Sequence, residues 1–326
     1  MALRRTMLMG ALCLTAFLGS PVASAQTAYP DRPVRLVVPF APGGGGDNLA
    51  RSVSTAAAEA LGQQIVVDNR PGAGGNVGSE LAARSAADGY TLLYGTNGTH
   101  AINHALYART GFDAIKDFEP VTRLTRIGAV VVVNPKVPAT TVKELLDYLR
   151  ANPAKVNFGS AGNGTTSHVA GEMFKQVANV DIVHIPYRGN GPAMVDLMAG
   201  QVNMMIDVMP AAYPHVKAGN LRALAVTTST RVAGAPDLPT LGEAGLPGFD
   251  MSAWDGIWAP AGTPRIIVDR LNAAFNQALR NPAVRERLIA MGAEPVGGTP
   301  EELGRHVATE LSRWAEVVKK SGARID

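Results

Sequence analysis

The 326-residue chain predicts an α/β protein of two lobes, each a mostly parallel sheet covered by helices and joined by two chain crossings. Three observations carry that expectation. Apolar strand-like runs alternate with helix-length segments from Val34 onward. Four of the intervening turns are rich in glycine and open helices. The alternation restarts after Asn134-Pro135.

Taken in order, Val34–Phe40 reads as a strand running into Gly43–Gly46. Asp47 or Asn48 is the expected cap of a helix from Leu49 to Leu61, which Gly62 stops. The strand Ile65–Asp68, the helix Val77–Ala86 and the strand Tyr90–Tyr94 follow, and the apolar run within Val121–Val133 is long enough to pass between lobes. Thr141 and Glu144 form a capping box for a helix to Arg150. Beyond it come the strand Val156–Phe158, the helix Val169–Ala178, the strand Asp181–Ile185 and the helix Ala193–Met198. Val202–Val208 and Leu221–Thr227 are further strands. Ala233–Gly248, rich in proline and glycine, reads as a surface excursion. The chain then returns through Trp254–Pro260 to helices at Pro264–Arg280 and Pro300–Lys320, started by Thr263 and Thr299. The expected division is 1–25 as a signal peptide, 26–126 with 248–326 as the first lobe, and 127–247 as the second.

The ends and the composition narrow the function. Arg4 and Arg5, an apolar run from Met7 to Leu18, and Ala23-Ser-Ala25 make a signal peptide cleaved after Ala25, too short to span a membrane. The arginine pair leaves the export route open. The one cysteine, Cys13, lies inside that segment, so thiol chemistry and disulfides drop out of the mature chain. The 30 basic residues, Arg4 and Arg5 among them, stand against 27 acidic ones with no basic stripe, which argues against nucleic acid.

Enzyme signatures are incomplete. The opening strand–glycine–helix unit mimics a dinucleotide fold, but Asn48 stands where the third glycine belongs. Around Ser160, Phe158 replaces the first glycine of a hydrolase elbow. His100 and His104 have the i,i+4 spacing of a metal pair. With no acidic third ligand nearby, they read as a surface pair. No catalytic residue, metal or cofactor is expected.

Binding explains more. Gly43–Gly46, Arg70–Gly78, Gly159–His168 and Arg188–Pro192 each lead into a helix, where bare backbone N–H groups and the helix dipole favour an anion. Each such terminus contributes ~0.3–1 kcal/mol, up to ~2 when partly buried, and each charge-assisted hydrogen bond roughly 1.5–3. Three or four converging loops therefore reach the ~8 kcal/mol of micromolar binding without an arginine clamp. Tyr94–His100 and Phe158–His168 share an aromatic, Gly-Ser/Thr, Asn-Gly-Thr and His order, as matching loops meeting across a cleft would. Asp207 either pairs with a ligand amine or hydroxyl, or serves a turn beside Pro210. His168 either caps its helix or donates to an anion, and Arg188 either points to solvent or joins the site. Trp254 and Trp258 read as core packing.

Tyr29-Pro-Asp-Arg-Pro33, Val38-Pro-Phe-Ala-Pro-Gly-Gly44 with Asp47, Asn69-Arg-Pro-Gly-Ala-Gly-Gly75, Asp88-Gly-Tyr-Thr-Leu92 and Asp117-Phe-Glu-Pro-Val121 resemble the Bug (TctC-like) family. These are the periplasmic solute receptors of tripartite tricarboxylate transporters. Val183-His-Ile-Pro-Tyr-Arg-Gly189, Trp254-x-Gly256 and Pro260-Ala-Gly-Thr-Pro264 extend the match over nearly all the mature chain. The resemblance implies a type II periplasmic-binding-protein fold, monomeric, that closes on one small organic carboxylate and delivers it to a membrane permease. Candidate ligands are di- or tricarboxylates, acidic amino acids and aromatic acids. An orphan sensor signalling to a membrane kinase, or an exported enzyme, is the alternative. Carried over by position, the first-lobe site residues are Ala41, Gly43, Gly44, Asp47, Ala73, Gly74, Asn76, Thr96 and Asn97. Facing them are Ser160, Gly164, Thr165, Ser167, His168, Arg188, Gly189 and Asp207. Asn203 and Asn103-His104 depart from the family pattern.

Overall fold

The computed structural model describes residues 29–321; the expected leader, with Arg4, Arg5 and the cleavage after Ala25, lies outside them. Strand β1 (Val34–Val38) is buried and lies parallel to both β2 (Ile65–Asn69) and β3 (Thr91–Thr96). Between them run α1 (Gly45–Leu61) and α2 (Asn76–Ala83). Gly62, at φ 76°, ends α1 in the left-handed conformation that glycine tolerates best. Helix α1 begins within the glycine run rather than after it. Its N-cap is Gly44, so Asp47 is not the cap expected from the sequence; it occupies the first turn.

After a short π-turn (Gly98–Ile102) and α3 (Asn103–Leu106), the chain enters β4, a single 16-residue strand, Phe118–Val133. From Phe118 to Gly128 it pairs antiparallel with β9 (Ser252–Pro260); from Ala129 to Val133 it pairs with β7 (Met204–Val208) and β8 (Arg222–Val226). The second sheet section is completed by β5 (Asn157–Ser160) and β6 (Val183–Pro186), both parallel. Strand order is β2-β1-β3-β9-β4-β7-β5-β6. The βαβ units are parallel as expected. The sheet as a whole is mixed, because β4, which belongs to both sections, and β9, which lies wholly in the first, run against their neighbours. The return passes beside Thr227, whose carbonyl accepts from the Met251 amide at 2.9 Å.

The second section carries α4 (Val142–Ala151), α5 (Thr166–Ala178), α6 (Asn190–Ala199) and α7 (Met209–Lys217). Thr141 caps α4 by accepting from Glu144 N. Helix α7 has no counterpart in the sequence reading: Pro210 in its first turn and Pro214 inside it obscure the pattern. The Ala233–Gly248 stretch is not a surface excursion. Leu241 and Leu246 are buried in the core, and Thr240 and Glu243 hydrogen-bond reciprocally to tie the segment down. At the C-terminal side lie α8 (Arg265–Arg280), α9 (Pro282–Ala290), β10 (Ala293–Pro295), which pairs with β4, and α10 (Pro300–Ser321). Thr263 does not cap α8, which follows Pro264; its hydroxyl donates to Pro260 O. Thr299 and Glu302 do form the expected capping box of α10. Helix α10 also reaches the second section, where Val317 and Val318 border α5.

Candidate functional site

The carboxyl ends of the parallel strands point their loops at one another. Between the two sheet sections they border a narrow, partly open cleft of about 50 Å³, room for a few water-sized groups. Gly46 and Leu49 of α1, Gly74 before α2, and Thr96–Gly98 after β3 line one side. Ala161 and Thr165–Ser167 before and within α5, Asn190 of α6, and Asp207 and Val208 before α7 line the other. Phe40, Tyr94, Ile127 and Trp254 supply apolar wall. Trp254 is thus both core and wall; its indole N–H donates to Glu310 of α10 at 2.9 Å.

Five helices start at this cavity: α1, α2, α5, α6 and α7. Their N-caps are Gly44, Gly75, Thr165, Gly189 and Val208, and none makes a side-chain cap hydrogen bond. Away from the cavity, α4, α9 and α10 are capped by Thr141, Asn281 and Thr299, while α8, which follows Pro264, is not. Helix termini leave several amides unsatisfied, and a side-chain cap normally takes one of them. At this site no side chain takes them, although Asn76 N and Val77 N of α2 already donate to Ala73 O and Gly72 O, and Pro192 of α6 and Pro210 of α7 bring no N–H. Asn97 adds a donor. It is fully buried, its carbonyl oxygen accepts from Thr166 Oγ1 at 2.9 Å, and its Nδ2 has no protein partner. Among the described residues no lysine, arginine or histidine lines the cavity.

Among the described residues the one carboxyl on its wall is Asp207, which is buried and accepts from Asn190 Nδ2 at 2.5 Å and from Val208 N at 2.8 Å. Burial pushes its pKa up to about 7, against the pull of those two hydrogen bonds. Behind the wall, Asp255 accepts from Tyr94 Oη and from Thr125 Oγ1 and N, and burial raises it to about 6 despite them.

The expected site residues divide into three groups. Gly74, Thr96, Asn97, Thr165, Ser167 and Asp207 line the cavity. Ala73, Arg188 and Gly189, with Gly74 again, line an adjoining space. The remainder lines neither and instead holds the loops. Asp47 accepts from Gly43 N, Arg51 and Asn69, pinning the β1–α1 turn. Burial alone would raise Asp47; those bonds hold it below the usual carboxylate range. Ser160 Oγ accepts from Gly162 N, and His168 Nδ1 accepts from Gly164 N. His168 stacks on His184 at 4.3 Å. Burial, with the Lys175 charge behind it, lowers His168 to about 4, so its acceptor nitrogen stays unprotonated at neutral pH. Asn76 Oδ1 accepts from Asn103 Nδ2. Ala41 and Gly44 meet the opposite section: a Cβ on Gly189 would lie 3.0 Å from Ala41 Cβ, and one on Gly44 3.3 Å from Asn190 Oδ1.

The two sections touch directly. Tyr107 Oη donates to Asn163 O at 2.7 Å. Gly74, at φ 63°, packs so close that a Cβ there would sit 2.4 Å from Asn163 O. The two similar loops, Tyr94–His100 and Phe158–His168, do meet, through Asn97 and Thr166. His100 and His104 are not a surface pair: His100 is fully buried against Trp258, ring centroids 4.0 Å apart. Among the described residues no group of His, Cys, Asp and Glu could hold a metal, and no helix is long and apolar enough to cross a membrane. Sequence reasoning missed Phe40, Asn190 and Tyr107. Asn190 stood in plain view inside Arg188–Pro192, whereas nothing local marks Tyr107.

Residues 49–323 match the family model described as "TctC: Tripartite tricarboxylate transporter family receptor". Protein BugT of Bordetella pertussis is 40% identical over 317 residues, covering 97% of this chain and 97% of that protein. The solved structure of periplasmic binding protein BugD is 38% identical with a TM-score of 0.88, covering 91% of this chain and 99% of that one. A Rhodopseudomonas palustris protein, Rpa4515, solved with adipate, is 40% identical with a TM-score of 0.89, covering 91% and 100%. With this sequence match, this mixed α/β fold and these neighbours, the chain belongs to the TctC (Bug) family of tripartite tricarboxylate transporter receptors.

Proposed function

We propose that this receptor captures one small organic carboxylate in the cavity between two lobes and delivers it to a membrane permease of the tripartite tricarboxylate type. The observation that carries the reading is the convergence of five helix starts without side-chain caps on a narrow cleft that, among the described residues, has no cationic side chain. Main-chain amides and Asn97 Nδ2 then grip the carboxylate. Asp207 faces a ligand hydroxyl or ammonium group. Gly74, Thr96, Asn97, Thr165, Ser167 and Asp207 are the proposed contacts, and Asp47, Ser160 and His168 act by holding the loops that present them. Rotation of the lobes about β4 and the return beside Met251 opens and closes the site. Export to the periplasm with loss of residues 1–25, and the absence of catalysis, belong to the same proposal.

Calorimetric titration and thermal shift of the purified protein with dicarboxylates, tricarboxylates, acidic amino acids and aromatic acids test it. One class should bind with one-to-one stoichiometry, unchanged by chelator and without product. At a hundredfold excess over Kd, stabilisation of about 2.7 kcal/mol raises Tm by several degrees. Failure of every acid to raise Tm, or turnover of any of them, sinks the proposal.

A further inference from the structure

On the face of β4 away from the cleft lies a second pocket, with room of about 360 Å³. Successive side chains of a strand point to opposite faces. Ile127 lines the cleft, and its neighbours Arg126 and Gly128 line this rear pocket. Gly128 is also where β4 leaves its pairing with β9, just before it pairs with β7. The rear pocket therefore straddles the junction of the two sheet sections. The loop after β8, through Thr228 and Thr230–Gly234, forms one wall. Arg285 and Ile289 of α9, with Gly292–Pro295, form the other. Two glycines let these walls approach. A Cβ on Gly128 would lie 2.7 Å from Val232 Cγ2, and one on Gly234 would collide with Ile289 O. Small-molecule sites form preferentially at such junctions.

The walls bring together three arginines, Arg126, Arg231 and Arg285, against one acid, Glu294. Each arginine comes from a different element: β4, the loop after β8, and α9. Arg231 is held by Glu243 at 3.0 Å. Arg126 and Arg285 are in no ion pair among the described residues, although Glu294 stands opposite Arg126 in the β10–β4 register. Guanidiniums gathered around one hollow repel each other, and an anion between them turns that repulsion into attraction. Their planar forks match the oxygens of a phosphate better than a point charge does. We propose that the rear pocket is a site for a phosphate-type oxyanion, inorganic phosphate or pyrophosphate, held by Arg126 and Arg285 with Arg231 beside them. The cleft and the rear pocket share no lining residue, so this site stands or falls apart from the carboxylate reading.

The test is calorimetric titration of the purified protein with inorganic phosphate and with pyrophosphate, at an ionic strength fixed by sodium chloride. At least one should bind one-to-one with a Kd below about 1 mM. Arg285→Gln should weaken that anion by about tenfold or more, the low end of one charge-assisted hydrogen bond. Arg285→Lys, which keeps the charge and loses the fork, should fall between. Arg285 is exposed, so both variants should keep the parent's ligand-free Tm. Arg270→Gln removes an exposed arginine of α8 outside the pocket and should change the affinity by less than about twofold. Sedimentation with phosphatidylglycerol vesicles separates lipid-borne phosphate from the free anion, and the protein should stay in the supernatant. Four outcomes would each overturn the inference: no binding of either free anion, an affinity unmoved by Arg285→Gln, equal weakening by Arg270→Gln, or binding to vesicles alone.

Discussion

Asp207 shows how a single buried carboxyl trades stability against recognition. Its folded pKa of about 7 lies above the ordinary 3.8, so between those values the folded chain keeps a proton that the unfolded chain has released. Stability contributed by this group therefore falls as pH rises from about 4 to about 7. Asp207→Asn should flatten that slope and raise Tm above pH 7, by up to about 4 kcal/mol of stability if the whole shift is relieved. It should also weaken any ligand that places an ammonium group there. An unchanged Tm–pH profile would show that Asp207 titrates normally. Gly74 is the complementary case, a residue defined by what it lacks. In Gly74→Ala the left-handed backbone costs about 1 kcal/mol in open and closed forms alike, but the collision with Asn163 O exists only when the sections touch. Affinity should fall by about tenfold or more while the ligand-free Tm drops by only a few degrees, read by titration and calorimetry on the same sample. Gly43 differs: no atom lies within 4 Å of a Cβ there, so φ 77° alone explains the glycine.

Among the elements, helix starts were the most legible part of the chain. Glycine runs and Thr-x-x-Glu boxes are local signals: they mark the openings of α2, α4 and α10, and place those of α1, α5 and α6 three or four residues too late. What they could not convey is which starts are capped. Asp47 looks like a cap, yet its carboxylate is drawn to Gly43 N, Arg51 and Asn69, and Gly44 takes the cap position. Helix α7 escaped because two prolines disguise it, and β9 because both its faces are buried and no alternation shows. Capped and uncapped starts should respond differently to substitution. Thr299→Ala removes the α10 capping box and should cost about 1 kcal/mol of stability, seen as a lower urea midpoint with ligand affinity unchanged. A loss of affinity in that variant would mean that α10 shapes the cavity more than its contact with Trp254 implies.

For the whole molecule, the contact between the two sheet sections, on which the proposed closure rests, is the feature least visible in sequence. Tyr107 and Asn163 are 56 residues apart and meet only because the two sheet sections face each other; no spacing rule couples them. Removing that hydroxyl with Tyr107→Phe should cost the closed form about 0.5–1.5 kcal/mol. Ligand affinity should drop roughly threefold to tenfold, and small-angle scattering of the ligand-free protein should show a larger radius of gyration. An unaltered radius with unaltered affinity would show the contact to be incidental. A last consequence concerns heredity and follows from the uncapped helix starts. A point mutation can delete a side chain, but it cannot delete a peptide N–H, except by writing proline. Duplicated genes for such a receptor can therefore exchange the cavity's walls codon by codon while the proposed main-chain grip passes unchanged to every descendant.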